Sequence, residues 1–145
     1  MKTSSTFFIS ACILFAGCGN KEESTPSKTL TEVIAADNAG DLDKVIAYYT
    51  EDAILIPAGS SDIIGKNAIR EHYRNIFTTS VLQLQASSNE IIDANDWTII
   101  RGNTTGKVIF KADSSATAVN DKFIMVLKKD DGRWKIYRLM WSSHP

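Results

Sequence analysis

The rhythm of apolar and polar positions changes about halfway along this chain. Near the start, Leu30, Val33 and Ile34 fall at helical spacing behind Thr29-Leu30-Thr31-Glu32, which has the form of a capping box, and Gly40 supplies a stop. Asp41 can cap a second helix, in which Leu42, Val45, Ile46 and Tyr49 lie at i, i+3, i+4 and i+7 and make one apolar stripe. Ala53 to Ile56 reads as a short strand ended by Pro57, and 58–65 as a loop carrying Gly59, Ser60 and Ser61. Lys66 to Phe77 repeats the helical pattern through Ile69, Tyr73, Ile76 and Phe77.

From Val81 the period drops to two. Leu82, Gln83, Leu84 and Gln85 alternate, Glu90 to Asp93 continues in strand style, and Trp97 to Phe110 and Ala118 to Lys129 are long strand candidates. Asp130-Asp131-Gly132 predicts a turn before a last strand, Trp134 to Trp141. Helices followed by an antiparallel meander make an α+β protein, not an alternating α/β one.

The first residues stand apart. Met1-Lys2 gives a positive charge and Phe7 to Gly17 (FFISACILFAG) an apolar run, too short to span a bilayer, which needs about 20 apolar residues. Ala16 and Gly17 then precede Cys18. This resembles a bacterial lipoprotein signal, with Phe15 where a leucine is usual. The alternatives are an ordinary secretory leader with an incidental cysteine, or a buried helix. Cys12 would leave with the leader, so Cys18 would stand alone without a disulfide partner, and acylation accounts for it. The resulting expectation is a leader over 1–17, a disordered polar tether over 18–28 and one domain over 29–142. The protein would then sit at the cell envelope, lipid-anchored to a bacterial membrane, the outer one in the first instance. Lys21-Glu22-Glu23 also resembles an export signal of surface lipoproteins, which leaves periplasmic and surface-facing placements both open.

Composition narrows the classes. A chain of 145 residues suits one domain, and 43% apolar with 23% charged residues argues against wholesale disorder. A net charge of -1 with signs interspersed leaves no basic footprint for nucleic acid. His72 and His144 are the histidines, so with Cys18 consumed no metal set or cofactor is expected.

The order of Gly40-Asp41, Tyr49-Thr50-Glu51-Asp52-Ala53, Gly65-Lys66-Asn67-Ala68-Ile69, Asp96-Trp97, Arg101-Gly102, Asn120-Asp121-Lys122-Phe123, Gly132-Arg133-Trp134-Lys135 and Trp141-Ser142 resembles the SnoaL-like and ketosteroid-isomerase-like branch of the nuclear transport factor 2 superfamily. That resemblance implies a cystatin-like cone: three helices on a curved antiparallel sheet around an apolar pocket, dimerising through the outer face of the sheet. It does not imply one chemistry, because members include enzymes and non-catalytic binding modules.

Parity along the strands sorts the two faces. A symmetric turn at Asp130-Asp131-Gly132 would set Ile124 opposite Arg138 and Val126 opposite Ile136. Lys122, Ile124, Val126, Trp134, Ile136, Arg138 and Met140 then share a face with Trp97, Ile99, Arg101, Asn103 and Thr105. The other face holds Phe123, Met125, Leu127, Tyr137, Leu139, Trp141, Ile100 and Thr104. The first face, mixing apolar walls with cations, is the expected pocket, with Tyr73, Phe77, Trp97, Arg101, Lys122 and Arg138 as binding residues for a small apolar or anionic molecule. The second, more uniformly apolar face is then core or dimer surface, and the alternative for Arg101 and Arg138 is a place near the sheet edge, paired with surface carboxylates. By the resemblance, Asp52 is a candidate proton-transfer base with Tyr49 or Tyr73 as oxyanion donor; alternatively it is a structural acid at a helix-to-strand corner. Three functions follow: a ligand-binding module, an isomerase- or cyclase-like enzyme acting on a carbonyl compound, and an oligomerisation domain.

Overall fold

A computed structural model describes residues 24–143 of the chain. The expected leader, Cys18, most of the tether and His144 lie outside the described residues.

The first helix, α1 (Pro26–Ala39), begins earlier than the capping-box pattern suggested. Thr25 is its N-cap, with a hydroxyl that accepts from the Lys28 N–H at 3.2 Å, and Pro26 opens the helix where a missing N–H costs nothing. Residues 26–28, expected in the tether, are therefore its first turn. Thr29, expected as the cap, is buried inside it, and its hydroxyl donates to the Thr25 carbonyl at 3.1 Å. Ser24 is docked as well, its hydroxyl oxygen accepting from the Trp134 N–H at 3.2 Å. Gly40 ends α1 with φ of 64°, a left-handed conformation that glycine adopts without Cβ strain.

The second helix, α2 (Leu42–Ala47), is capped by Asp41, whose carboxylate accepts from the Lys44 N–H at 3.1 Å. It is shorter than its stripe suggested, because Tyr49 already belongs to strand β1 (Tyr49–Ile56). A two-residue strand, β2 (Ile63–Ile64), leads to α3 (Lys66–Thr79). Four long strands follow: β3 (Ser80–Ala94), β4 (Trp97–Phe110), β5 (Ala116–Asp130) and β6 (Arg133–Ser143). They form one six-stranded sheet in the order β2-β1-β6-β5-β4-β3. All neighbours run antiparallel except β1 and β6, which are parallel, so the first strand returns to pair with the last.

Three irregularities bend this sheet. β3 is continuous where two short strands were expected, with a shift in pairing between Ser88 and Glu90. β1 shifts against β6 between Tyr49 and Ile54. β6 carries an extra residue between Ile136, which faces Leu127, and Arg138, which faces Val126. Such bulges increase local twist and re-aim side chains. The last hairpin turns on Asp131-Gly132 alone, both at positive φ (48° and 73°), as a two-residue primed turn requires.

The turn and the bulge together correct the expected register. Ile124 lies opposite Met140, not Arg138, and Val126 opposite Arg138, not Ile136. Beyond the bulge Ile136 and Trp134 cross to the helix side, where both are buried. The pairing of β4 with β5 keeps the expected parity: Ile99 faces Val126 and Arg101 faces Ile124.

The core lies between the helices and the face of the sheet carrying Ile100, Phe123, Met125, Leu127 and Ile136. Against it pack Leu30, Val33 and Ala36 of α1, Val45 and Ile46 of α2, and Ile69 and Tyr73 of α3. Gly102 permits the close approach at its centre. A Cβ there would lie 2.1 Å from the Ser87 carbonyl oxygen and 2.6 Å from the Phe123 ring, so Phe123 crosses β4 only over a glycine.

Candidate functional site

The cone encloses a cavity of about 220 Å³ between α1, α3 and the inner face of β3 to β6. Its wall is mainly apolar: Leu30, Val33 and Ile34 from α1, Ile76 from α3, Leu82 and Leu84 from β3, and Phe123, Met125, Leu139 and Trp141 from the last two strands. Set into it are Asp37, His72, Tyr73, Thr104 and Asp121.

Asp37 was missed by sequence reasoning, and its signal was present. Leu30, Val33 and Ile34 establish a stripe at i, i+3 and i+4, and Asp37 is the i+7 position of that same stripe. A carboxyl therefore points where a fourth apolar side chain was due. It is only 7% exposed, and its Oδ1 accepts no hydrogen bond from any described residue. Burial raises its pKa from 3.8 to about 7, because the charged form loses its hydration without a compensating partner.

Two buried phenols meet beside the cavity: Tyr73 is in its wall and Tyr49 lies behind it. The Tyr49 and Tyr73 hydroxyls lie 2.9 Å apart in a buried hydrogen bond, with ring centroids 6.0 Å apart. Burial first, and then the charge of Asp37, raises the pKa of both, so both are neutral phenols across the physiological range. Phe77 stacks on Tyr73 at 5.6 Å, and His72 meets its edge at 5.9 Å. The pKa of His72 is lowered by burial, so its neutral form is favoured. The arrangement can hold a ligand's polar atom at Asp37 and, once the carboxyl ionises, take a proton from it.

The other expected site residues lie elsewhere. Asp52 is exposed on β1, where its backbone carbonyl accepts from Arg138 Nη1 at 3.0 Å, so its carboxylate does not enter the cone. The bulge in β1 turns this segment outward. Trp97, Arg101, Lys122 and Arg138 are on the outer face, with the parity that was expected to line the pocket. There Arg101 Nε pairs with Glu90 Oε2 at 3.0 Å, and Trp97 packs edge-on against Tyr137 at 5.0 Å. The Arg138 guanidinium stacks over the Tyr137 ring at 3.6 Å. Of the expected set, Tyr73 lines the cavity, and Tyr49 and Phe77 pack against it. The cations expected to hold an anion are not in its wall. Among the described residues no group of His, Cys, Asp or Glu is placed to bind a metal, and no helix is long and apolar enough to cross a membrane.

The SnoaL-like domain family matches residues 30–137, most of the chain. The chain belongs to that family. Among solved structures this SnoaL-like domain is similar to a ketosteroid isomerase-like protein from Erwinia carotovora atroseptica, at 26% identity and a TM-score of 0.77, over 87% of this chain and 98% of that one. It is also similar to an NTF-2 like protein of unknown function from Shewanella oneidensis, at 22% identity and a TM-score of 0.66, over 81% and 95% of the two chains. A third likeness is to a putative scytalone dehydratase from Novosphingobium aromaticivorans, at 13% identity and a TM-score of 0.72, over 82% and 81%. The last two likenesses establish the fold. No curated protein matches the chain.

Proposed function

We propose that this SnoaL-like domain holds a small, largely apolar molecule inside its cone, oriented by Asp37. The observation that carries this reading is Asp37, a buried carboxyl among the residues of the cavity wall, whose Oδ1 accepts no hydrogen bond from the described residues. A buried polar atom left unpaired costs about 1–3 kcal/mol, and a ligand group that pairs with it removes that cost. Native mass spectrometry on the gently purified protein tests it: a retained small molecule is expected, and Asp37→Leu should lose it. A bare mass from several hosts, with no thermal shift from a panel of apolar compounds, would sink the reading.

A second reading is proton transfer on a carbonyl compound, favoured by an Asp37 pKa of about 7 beside neutral phenols. A group titrating near the working pH both gives and takes protons readily. Here Asp37 has the role first assigned to Asp52, with Tyr73 as oxyanion donor. The ketosteroid isomerase-like neighbour supports this choice of chemistry. Deuterium exchange at the α-carbon of small cyclic ketones, followed by NMR, should be accelerated by the protein and abolished in Asp37→Asn.

In both readings the chain is cleaved before Cys18, acylated there, and held at a bacterial cell envelope by a short polar tether. The apolar run Phe7 to Gly17 and the unpaired cysteine support this. Cys18→Ser should move the protein from the membrane to the soluble fraction. The domain pairs with a second copy through the outer face of the sheet, where Trp97, Ile99, Ile124 and Met140 are 37–42% exposed. A monomer by light scattering at micromolar concentration would rule this out.

A further inference from the structure

The polar groups of the cone are one-sided in charge. Asp37 from α1 and Asp121 from β5 are in its wall, while no lysine or arginine among the described residues is. The same wall carries the aromatic side chains of Tyr73, Phe123 and Trp141. An anion entering this cavity meets two carboxyl groups and no counter-charge. A hydrocarbon leaves Asp37 Oδ1 unpaired. An organic ammonium satisfies both surfaces at once, because aromatic faces attract cations and a carboxylate pairs with them. The position of Asp37 in the last turn of α1 points the same way, since that end of a helix favours a positive charge.

We infer that the cone selects molecules built of an apolar ring system bearing one protonated amine, with the ammonium on Asp37 and the rings against Phe123 and Trp141. The inference rests on the reading of the cone as a binding site and deepens it. A cavity of about 220 Å³ lies below the roughly 300–1,000 Å³ usual for drug-sized ligands, so a ring system of naphthalene size suits it.

Affinity for such a ligand follows the ionisation of Asp37. An alkylammonium stays protonated from pH 5 to pH 8. Asp37 is neutral at the lower end and charged at the upper, so binding strengthens as pH rises through about 7. The other groups facing it do not oppose this trend. Tyr49 of β1 and Tyr73 of α3 stay neutral throughout. Asp121 of β5 carries the same sign as Asp37, and His72 of α3 would add repulsion only at the acid end. From β3 and β6 the wall receives the apolar Leu82, Leu84, Leu139 and Trp141.

Isothermal titration of the full chain with 1-naphthylmethylamine, 1-naphthylmethanol and 1-naphthoate tests the inference. At pH 8 the amine should bind at least about tenfold more tightly than the alcohol, with no binding of the carboxylate. That preference should shrink to less than about twofold at pH 5. Asp37→Asn should bind amine and alcohol alike at both pH values, and circular dichroism will establish that the variant is folded. Should the variant not fold, the pH profile of the wild type decides alone. Equal binding of alcohol and amine at pH 8 overturns the ammonium assignment while leaving the cone a binding site. Binding of none of the three overturns both.

Discussion

The two faces of the sheet are made by the same strands, and alternate residues of one sequence line each of them. On the helix side β4, β5 and β6 present Ile100, Phe123, Met125, Leu127 and Ile136, all buried. On the outer side they present Ile99, Ile124 and Met140, exposed, together with Arg101, which pairs with Glu90 of β3. The side with more charge is not the side with the site. On the outside Arg101 pairs with Glu90, Arg138 stacks over Tyr137, and Arg101 and Lys122 share the wall of a cleft of about 610 Å³. Among the described residues two buried side-chain atoms are left without a hydrogen bond, Thr50 Oγ1 and Asp37 Oδ1, and of these only Asp37 belongs to the cavity wall. A buried carboxyl in a cavity wall says more about function than three cations on the outer face do.

Removing the charge of Asp37 would give the largest effect. Its folded-state pKa is raised, so the native protein keeps a proton that the unfolded chain releases near 3.8. The contribution of Asp37 to stability is therefore fully present below pH 3.8 and is lost as pH rises towards about 7. At about 1.36 kcal/mol per pH unit this comes to about 4 kcal/mol in the unliganded protein. Urea unfolding of wild type and Asp37→Asn as a function of pH should show the variant gaining on the wild type across that range. Parallel curves would mean that Asp37 is hydrated in solution. The contrast between the faces is tested next by one truncation on each. Ile136→Ala should cost about 2–5 kcal/mol, as expected for a fully buried side chain, while Ile99→Ala should stay within about 1 kcal/mol in the monomer. A large loss for Ile99→Ala that depends on protein concentration would locate the dimer interface. Tyr73→Phe leaves the Tyr49 hydroxyl without its partner and should cost about 1–3 kcal/mol. Arg101→Ala, which breaks only an exposed ion pair, should change stability by no more than about 1 kcal/mol and leave ligand binding intact.

Much of the architecture was legible because periodicity reports it directly. Gly40 and Asp41 mark the end of one helix and the start of the next, and α3 follows its stripe from Ile69 to Phe77. The parity of β4 against β5 also survived, since a connection of even length keeps alternate residues in step. Less of the site was legible. The bulge in β6 is one extra residue that nothing in the local pattern announces, and it carries Ile136 and Trp134 to the opposite side from the one parity assigned. The bulged pairing of β1 with β6 is a contact between the two ends of the domain, and it leaves Asp52 outside. Tyr49 and Tyr73 could be named as phenols near a pocket, but their mutual hydrogen bond joins β1 to α3 and exists only once both are packed.

The order of apolar positions was enough to determine the element types, the α+β layout and the family likeness, because these depend on spacings of a few residues along one chain. Which sheet face would be enclosed depended on which side the helices cover, and the side taken by Ile136 and Trp134 on a bulge and a two-residue turn, all contacts between segments far apart in sequence. The chemistry followed from that enclosure. Asp37 becomes an unsolvated acid only when α1, α3 and the curved sheet close around it, for burial is a property of the whole packed domain and not of any segment.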